Sequence, residues 1–113
     1  MQIPKQAVLL RIFFGENDQF QGRPLYEAIV LKAREMHLAG ATVLRGPMGF
    51  GASSRLHTTK ILRLSEDLPL VIEIVDTEEK IKRFLPILHE INPGGLVTLE
   101  KVQVLQYGVK GEG

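Results

Sequence analysis

At 113 residues, with 44% apolar and 24% charged side chains, the chain has the length of one domain and material for one core. A formal net charge of +1 gives no long-range attraction to nucleic acid or to an anionic membrane. The absence of cysteine excludes disulfides, thiolate catalysis and cysteine-held metals, and it fits a reducing compartment.

The chain opens with MQIPKQAVLLRIFFG. Arg11 interrupts its apolar run and no small-residue cleavage site follows, so this is not a leader. No stretch approaches the ~18 apolar residues of a membrane helix, and the chain reads as soluble and cytoplasmic. AVLLRIFF at 7–14 predicts a strand apolar on both faces. GENDQFQG then punctuates the chain. Leu25, Ile29, Ala33 and Met36 recur at helical spacing behind Pro24, which predicts a helix from about Arg23 to Ala39 with Gly40 as a left-handed cap. ATVLR at 41–45 reads as the second strand. TTKILRL at 58–64 is a further candidate, and LVIEIVD at 70–76 a clear one. Asp76 or Thr77 caps a second helix, with Glu78 and Glu79 in its first turn and Ile81, Phe84, Leu85 and Leu88 on its apolar face. Pro86 predicts a kink near Arg83 rather than two helices. Asn92-Pro93-Gly94-Gly95 stops that helix. LVTLEKVQVLQY at 96–107 is the last strand, and its shift in alternation predicts a bulge near Glu100–Lys101. The tail from about 108 to 113 reads as frayed.

The order β-α-β-(loop)-β-α-β predicts a single α+β domain over 1–113. Its fold class is ferredoxin-like βαββαβ, with two helices on one face of an antiparallel four-stranded sheet and a long loop after strand two. Such a sheet has a second face. Ala7, Leu9 and Phe13 lie on it, broken by Arg11, with Val71 and Val75, broken by Glu73. A face that apolar exceeds what a soluble monomer tolerates. Self-association covers it in one reading, and the tail or the long loop covers it in the other.

No residues form a convincing catalytic set. His37 and His89 sit near helix C-termini and lack a partner at metal-ligand spacing. His57 closes the long loop of about 46–57. Ser53 and Ser54 fit no nucleophile elbow. Within the loop, the N–H groups of Gly46, Gly49 and Gly51 can converge on an anion, flanked by Arg45 and Arg55. Neither a P-loop nor a dinucleotide fingerprint is present. The alternative is a mobile hairpin loop, although β–β connections beyond ~12 residues tend to be functional or disordered. Gly94 and Gly95 permit close approach by a ligand. Phe50 is an aromatic that can cover a base.

GATVLRGPMGFGASSRLHTTKILRL, LPLVIEIVD and GLVTLEKVQV together resemble a family of PII-like proteins within the PII signalling superfamily, over about residues 7–107. The resemblance implies a homotrimer whose sheets face inward. It also implies an adenine nucleotide (ADP or ATP, with AMP possible) in clefts between subunits. There Gly46, at the root of one subunit's loop, meets Gly94–Gly95 of a neighbour. The long loop becomes an arm that contacts a transporter or an enzyme. The chain departs from the PII pattern at Pro93-Gly94-Gly95-Leu96, where a glycine-aspartate-glycine-lysine turn is expected. Phosphate contacts then fall to Arg45, Arg55 or Lys101. No metal, nucleic acid or membrane insertion is implied. Three rival families share parts of this order. An acylphosphatase places its phosphate loop after strand one, where GENDQFQGR lacks the compact glycine–valine pattern. An RNA-recognition motif needs central-strand aromatics that 70–75 lacks. A CutA-like metal-tolerance trimer would have to gather three copies of His57.

Overall fold

The computed structural model describes residues 6–51, 57–58 and 67–108. β1 spans Gln6–Gly15, followed by the two-residue strands β2 (Gln19–Phe20) and β3 (Arg23–Pro24), then α1 (Leu25–Glu35) and β4 (Thr42–Arg45). The long loop carries β5 (Met48–Gly49) and β6 (His57–Thr58). β7 (Pro69–Asp76), α2 (Glu78–Ile91) and β8 (Leu96–Gln103) complete the order. β4, β7, β1 and β8 make one antiparallel sheet in that spatial order, which is the expected ferredoxin-like topology. The expected strand at 58–64 lies almost wholly outside the described residues.

Side-chain alternation sorts the two faces of the sheet. Val8, Leu10 and Ile12 of β1 and Ile72 and Ile74 of β7 are buried against Leu25, Ala28, Ile29 and Ala33 of α1 and Ile81, Phe84, Leu88 and Ile91 of α2. Each buried aliphatic side chain contributes about 1.5–3 kcal/mol, and this layer is the chain's main apolar core. α2 is capped by Thr77, whose hydroxyl accepts from the Lys80 N–H at 3.2 Å, and it continues as one element through Pro86.

α1 differs from expectation at both ends. Arg23 and Pro24 pair with Phe20 and Gln19 as a short ladder, and the first helical N–H, on Leu25, donates to the Asp18 carbonyl at 2.8 Å. At the other end the helix stops before Gly40. Leu38 N–H bonds Ala33 O at 3.1 Å and His37 N–H bonds Arg34 O at 3.0 Å, the paired contacts of a Schellman turn. The left-handed residue is His37, at φ 59°. An L side chain there costs on the order of 1 kcal/mol. His37→Gly is therefore expected to raise stability by about 0.5–1 kcal/mol, read as a later urea midpoint at unchanged slope; an earlier midpoint would mean that the imidazole makes a compensating contact.

The end of β7 holds a fully buried carboxylate. Asp76 accepts the Ala39 N–H at 2.8 Å through Oδ2 and the Thr77 N–H at 2.6 Å through Oδ1. It ties the α1–β4 connection to the start of α2. The expected bulge in β8 is absent. Pairing with β1 is unbroken from Phe13↔Leu96 to Gln6↔Gln103. The alternation drifts because β8 is an edge strand on which neither face is buried within the chain. It ends at Gln103 rather than 107, and the chain then crosses the end of the sheet, where the Tyr107 hydroxyl donates to Ala39 O at 2.7 Å.

The second face carries two cross-strand rows. Leu44, Val71, Phe13 and Leu96 form an apolar row, with Leu44 47% and Leu96 57% exposed. Beside it run Thr42, Glu73, Arg11 and Thr98. The two charges that interrupt the apolar pattern in sequence are partners. Arg11 Nε donates to Glu73 at 3.0 Å and Nη1 to Glu100 at 3.0 Å. The hydrogen bond to Glu73 is the main cause raising the guanidinium pKa, so this charge is fixed throughout the working range.

Candidate functional site

The root of the long loop is built on three closures. Gly46 N–H donates to Pro69 O at 2.8 Å, extending the β4–β7 ladder by one bond. Met48 and Gly49 pair with Thr58 and His57, so the loop leaves the sheet as a two-stranded arm. The Arg45 guanidinium pairs with the Glu16 carboxylate in the β1–β2 turn. Arg45 is therefore placed at the root as expected, but its charge is already partnered. The Gly46 N–H is likewise engaged by backbone. A Cβ on Gly46 would lie 3.1 Å from Pro69 Cγ, and one on Gly49 3.3 Å from the same ring. Both glycines admit the proline, a structural requirement that stands beside any role toward a ligand. Phe50 is 73% exposed and Gly51 has open space around it. Arg55 lies outside the described residues.

The glycine turn sits at the same end of the sheet but on its other edge. Gly95 has φ 87°, and a Cβ there would stand 3.2 Å from Phe13 O, so this position accepts only glycine without strain. Gly94 is open. A cleft of about 510 Å³ lies between the turn and the end of α2, lined by Leu85, Leu88, His89, Asn92, Gly94 and Gly95 among others. Asn92 Nδ2 is shielded from water and has no hydrogen-bond partner among the described residues. Such an orphan donor is uncommon.

Register gives the separation of the two segments. From Arg45 on β4 to Leu96 on β8 the sheet is crossed through β7 and β1. Three strand spacings amount to roughly 14 Å. The loop root and the glycine turn of one chain are thus not in contact. Lys101 is placed with neither. It faces Val8 near the opposite end of β8, about 20 Å along the strand from Gly95. There it lines a groove of about 620 Å³ with Gln6, Glu78 and Gln103. Among the described residues no cluster of His, Cys, Asp or Glu could hold a metal ion, and the His57 side chain is outside them. No helix among the described residues is long and apolar enough to cross a membrane.

Sequence reasoning missed Glu16, the partner of Arg45, and Asn92 as an orphan donor. The spacing between residues 16 and 45 carries no periodic signal, because their meeting depends on sheet order. Asn92 stood only as a helix stop.

Comparison with known proteins places the chain among relatives. The DUF190 family model, described as an uncharacterized ACR, matches residues 7–104. A UPF0166 protein of Aquifex aeolicus is 44% identical over 93% of this chain and 98% of its own length. A UPF0166 protein of Methanocaldococcus jannaschii is 38% identical over 88% of this chain and 92% of its own. Among solved structures, CPII from Thiomonas intermedia K12, a nitrogen regulatory PII-like protein bound to ADP, AMP and bicarbonate, superimposes with a TM-score of 0.69. That likeness covers 89% of this chain and 90% of the other at 17% identity, which shows a shared fold. With a family match over nearly the whole described sheet and relatives of this identity along almost their full length, the chain belongs to the DUF190 family and carries the PII-like ferredoxin fold.

Proposed function

We propose that the protein is a PII-like regulator that binds an adenine nucleotide between subunits of a homotrimer and presents the loop of 46–57 to a partner protein, a transporter or an enzyme. The observation that carries this reading is the placement of the loop root and the glycine turn. They share one end of the sheet on opposite edges, roughly 14 Å apart. A ligand that uses both must sit between two copies. The apolar row on the uncovered face supports a neighbour at that distance, and the ADP and AMP of CPII support the class of ligand. Arg45, Gly46, Gly49, Phe50 and Gly51 would contribute from one subunit, and Gly94 and Gly95 from the next, with Arg55 as a further cation. Asn92 adds a free donor on the glycine-turn side. The role is recognition and signalling rather than catalysis, and its setting the cytoplasm.

A thermal-shift panel of ATP, ADP, AMP and cyclic AMP, on protein of measured oligomeric state, tests this. A ligand at a hundredfold its Kd adds about 2.7 kcal/mol to stability. Arg45→Ala should weaken the best ligand, by less than the ~1.5–3 kcal/mol of a free charge-assisted contact, because Glu16 already holds the guanidinium. Gly46→Val is the poorer variant, since its side chain would meet Pro69 whether or not a ligand binds. A trimer that none of the four nucleotides stabilises would remove the reading.

A further inference from the structure

The β1–β2 turn is an unusually well-fixed piece of chain beside the loop root. Gly15 N–H donates to Asp18 Oδ2 at 3.1 Å, and Asp18 N–H returns to Gly15 O at 3.1 Å. Glu16 N–H donates to Leu68 O at 2.8 Å, just before β7. Asn17 N–H donates to Asp67 Oδ1 at 3.0 Å. The carbonyl of Asp18 holds the start of α1. The Glu16 side chain is only 21% exposed, and its carboxylate meets Arg45 at the near end of the loop. One residue therefore joins the start of β7 and the end of β4, by backbone to Leu68 and by side chain to Arg45.

This geometry has an electrostatic consequence for any anion at Arg45. The turn's backbone is held by these hydrogen bonds and the Glu16 side chain is largely buried, which keeps its carboxylate beside the guanidinium. A phosphate oxygen arriving at Arg45 must share the guanidinium with Glu16 and remain within a few ångströms of its negative charge. The opposing force grows with the number of negative charges delivered to the same place. Arg45 thus offers a polyanion a charge already offset by Glu16.

We propose that Glu16 is a specificity-determining residue of the nucleotide site, selecting against highly charged ligands, so that AMP is bound in preference to ATP. This rests on the reading of Arg45 as a phosphate contact. Glu16 acts as a fixed internal competitor. A monophosphate offers one anionic group that can use a free edge of the exposed guanidinium. A triphosphate brings further charge against the carboxylate.

The test is isothermal titration of AMP, ATP and pyrophosphate, without divalent cations, into the wild-type protein and Glu16→Gln. The amide keeps size and hydrogen-bonding capacity and removes the charge. Wild type is expected to bind AMP at least ~5-fold more tightly than ATP, and Glu16→Gln to gain ~5-fold or more for ATP and pyrophosphate but under ~2-fold for AMP. An unchanged AMP-to-ATP ratio in Glu16→Gln overturns the proposal while leaving the nucleotide site standing. A wild type that prefers ATP also overturns it. Failure of all three probes to bind either protein removes the nucleotide reading itself, and the selectivity with it. Circular dichroism melts of both proteins identify a variant that fails by misfolding. In that event Glu16→Ala, scored by the same ratio, takes its place.

Discussion

Phe13→Asp is expected to convert the proposed trimer into folded monomers. Phe13 stands in the middle of the apolar row on the uncovered sheet face, between Val71 and Leu96. It points away from the layer that holds α1 and α2, which Val8, Leu10 and Ile12 face from the same strand. The substitution therefore leaves the helix-side core intact. In an assembly that buries the row, each copy would carry an unpaired carboxylate into an apolar contact. The cost is several kcal/mol per charge, enough to dissociate an interface of ordinary affinity. Arg11 lies two residues away on the same face, but Glu73 and Glu100 already engage it, so it cannot neutralise the new charge. Light scattering should give the mass of one chain, and far-ultraviolet circular dichroism should be unchanged. A wild type that is already monomeric at micromolar concentration, or a variant that stays trimeric, would dispose of this face as an interface.

The second large effect belongs to Asp76. Asp76→Ala removes the acceptor for two backbone donors, Ala39 N–H and Thr77 N–H, at a position with no access to water. Each stranded donor costs about 1–3 kcal/mol, and the total expected is about 3–5 kcal/mol. That is a large share of the 5–15 kcal/mol of a typical domain. Asp76→Asn keeps one acceptor and should lose about half as much. Urea unfolding of both variants gives the comparison, and a loss below 1 kcal/mol for Asp76→Ala would show that the α1–β4 connection is held by other contacts. The damage should be local in structure, because Ala39 also receives the Tyr107 hydroxyl on its carbonyl. Releasing its N–H loosens the segment that the end of the chain is fastened to.

The layer of the fold set by periodicity was legible. β1, β4, β7, α2 and β8 begin within a residue or two of where the apolar pattern places them, because burial on one face writes itself into spacing. What failed was chemistry that depends on neighbours distant in sequence. Gly40 looked like the helix cap, yet the helix ended at Glu35 and His37 took the left-handed turn, two residues before the Ala39 N–H that Asp76 accepts. Arg11 and Glu73 looked like separate flaws in two apolar strands until the register set them opposite each other. Asp76 read as a helix cap, and its second role at Ala39 has no local signature. The candidate site divides in the same way. Glycines and arginines around a long loop were visible, and the loop root with its turn does gather Arg45, Gly46 and Gly49. That Arg45 is held by Glu16, and that Lys101 stands at the other end of β8, follow only from the sheet order.

That order also dictates a timetable. β1 lies between β7 and β8, so the earliest strand made is the one that needs both of the latest. Arg11 must wait for Glu73, 62 residues further on, and for Glu100, 89 residues further on. At a synthesis rate of about 5–20 residues per second, β1 remains without either neighbour for several seconds. For that time the ribosome displays AVLLRIFF, with its unpaired backbone and apolar side chains, and only α1 is close enough in sequence to shield one side. Folding that depends on pairs so distant is slow by nature. The charge of Arg11, which later finds two carboxylates, meanwhile interrupts this apolar run as a gatekeeper residue does.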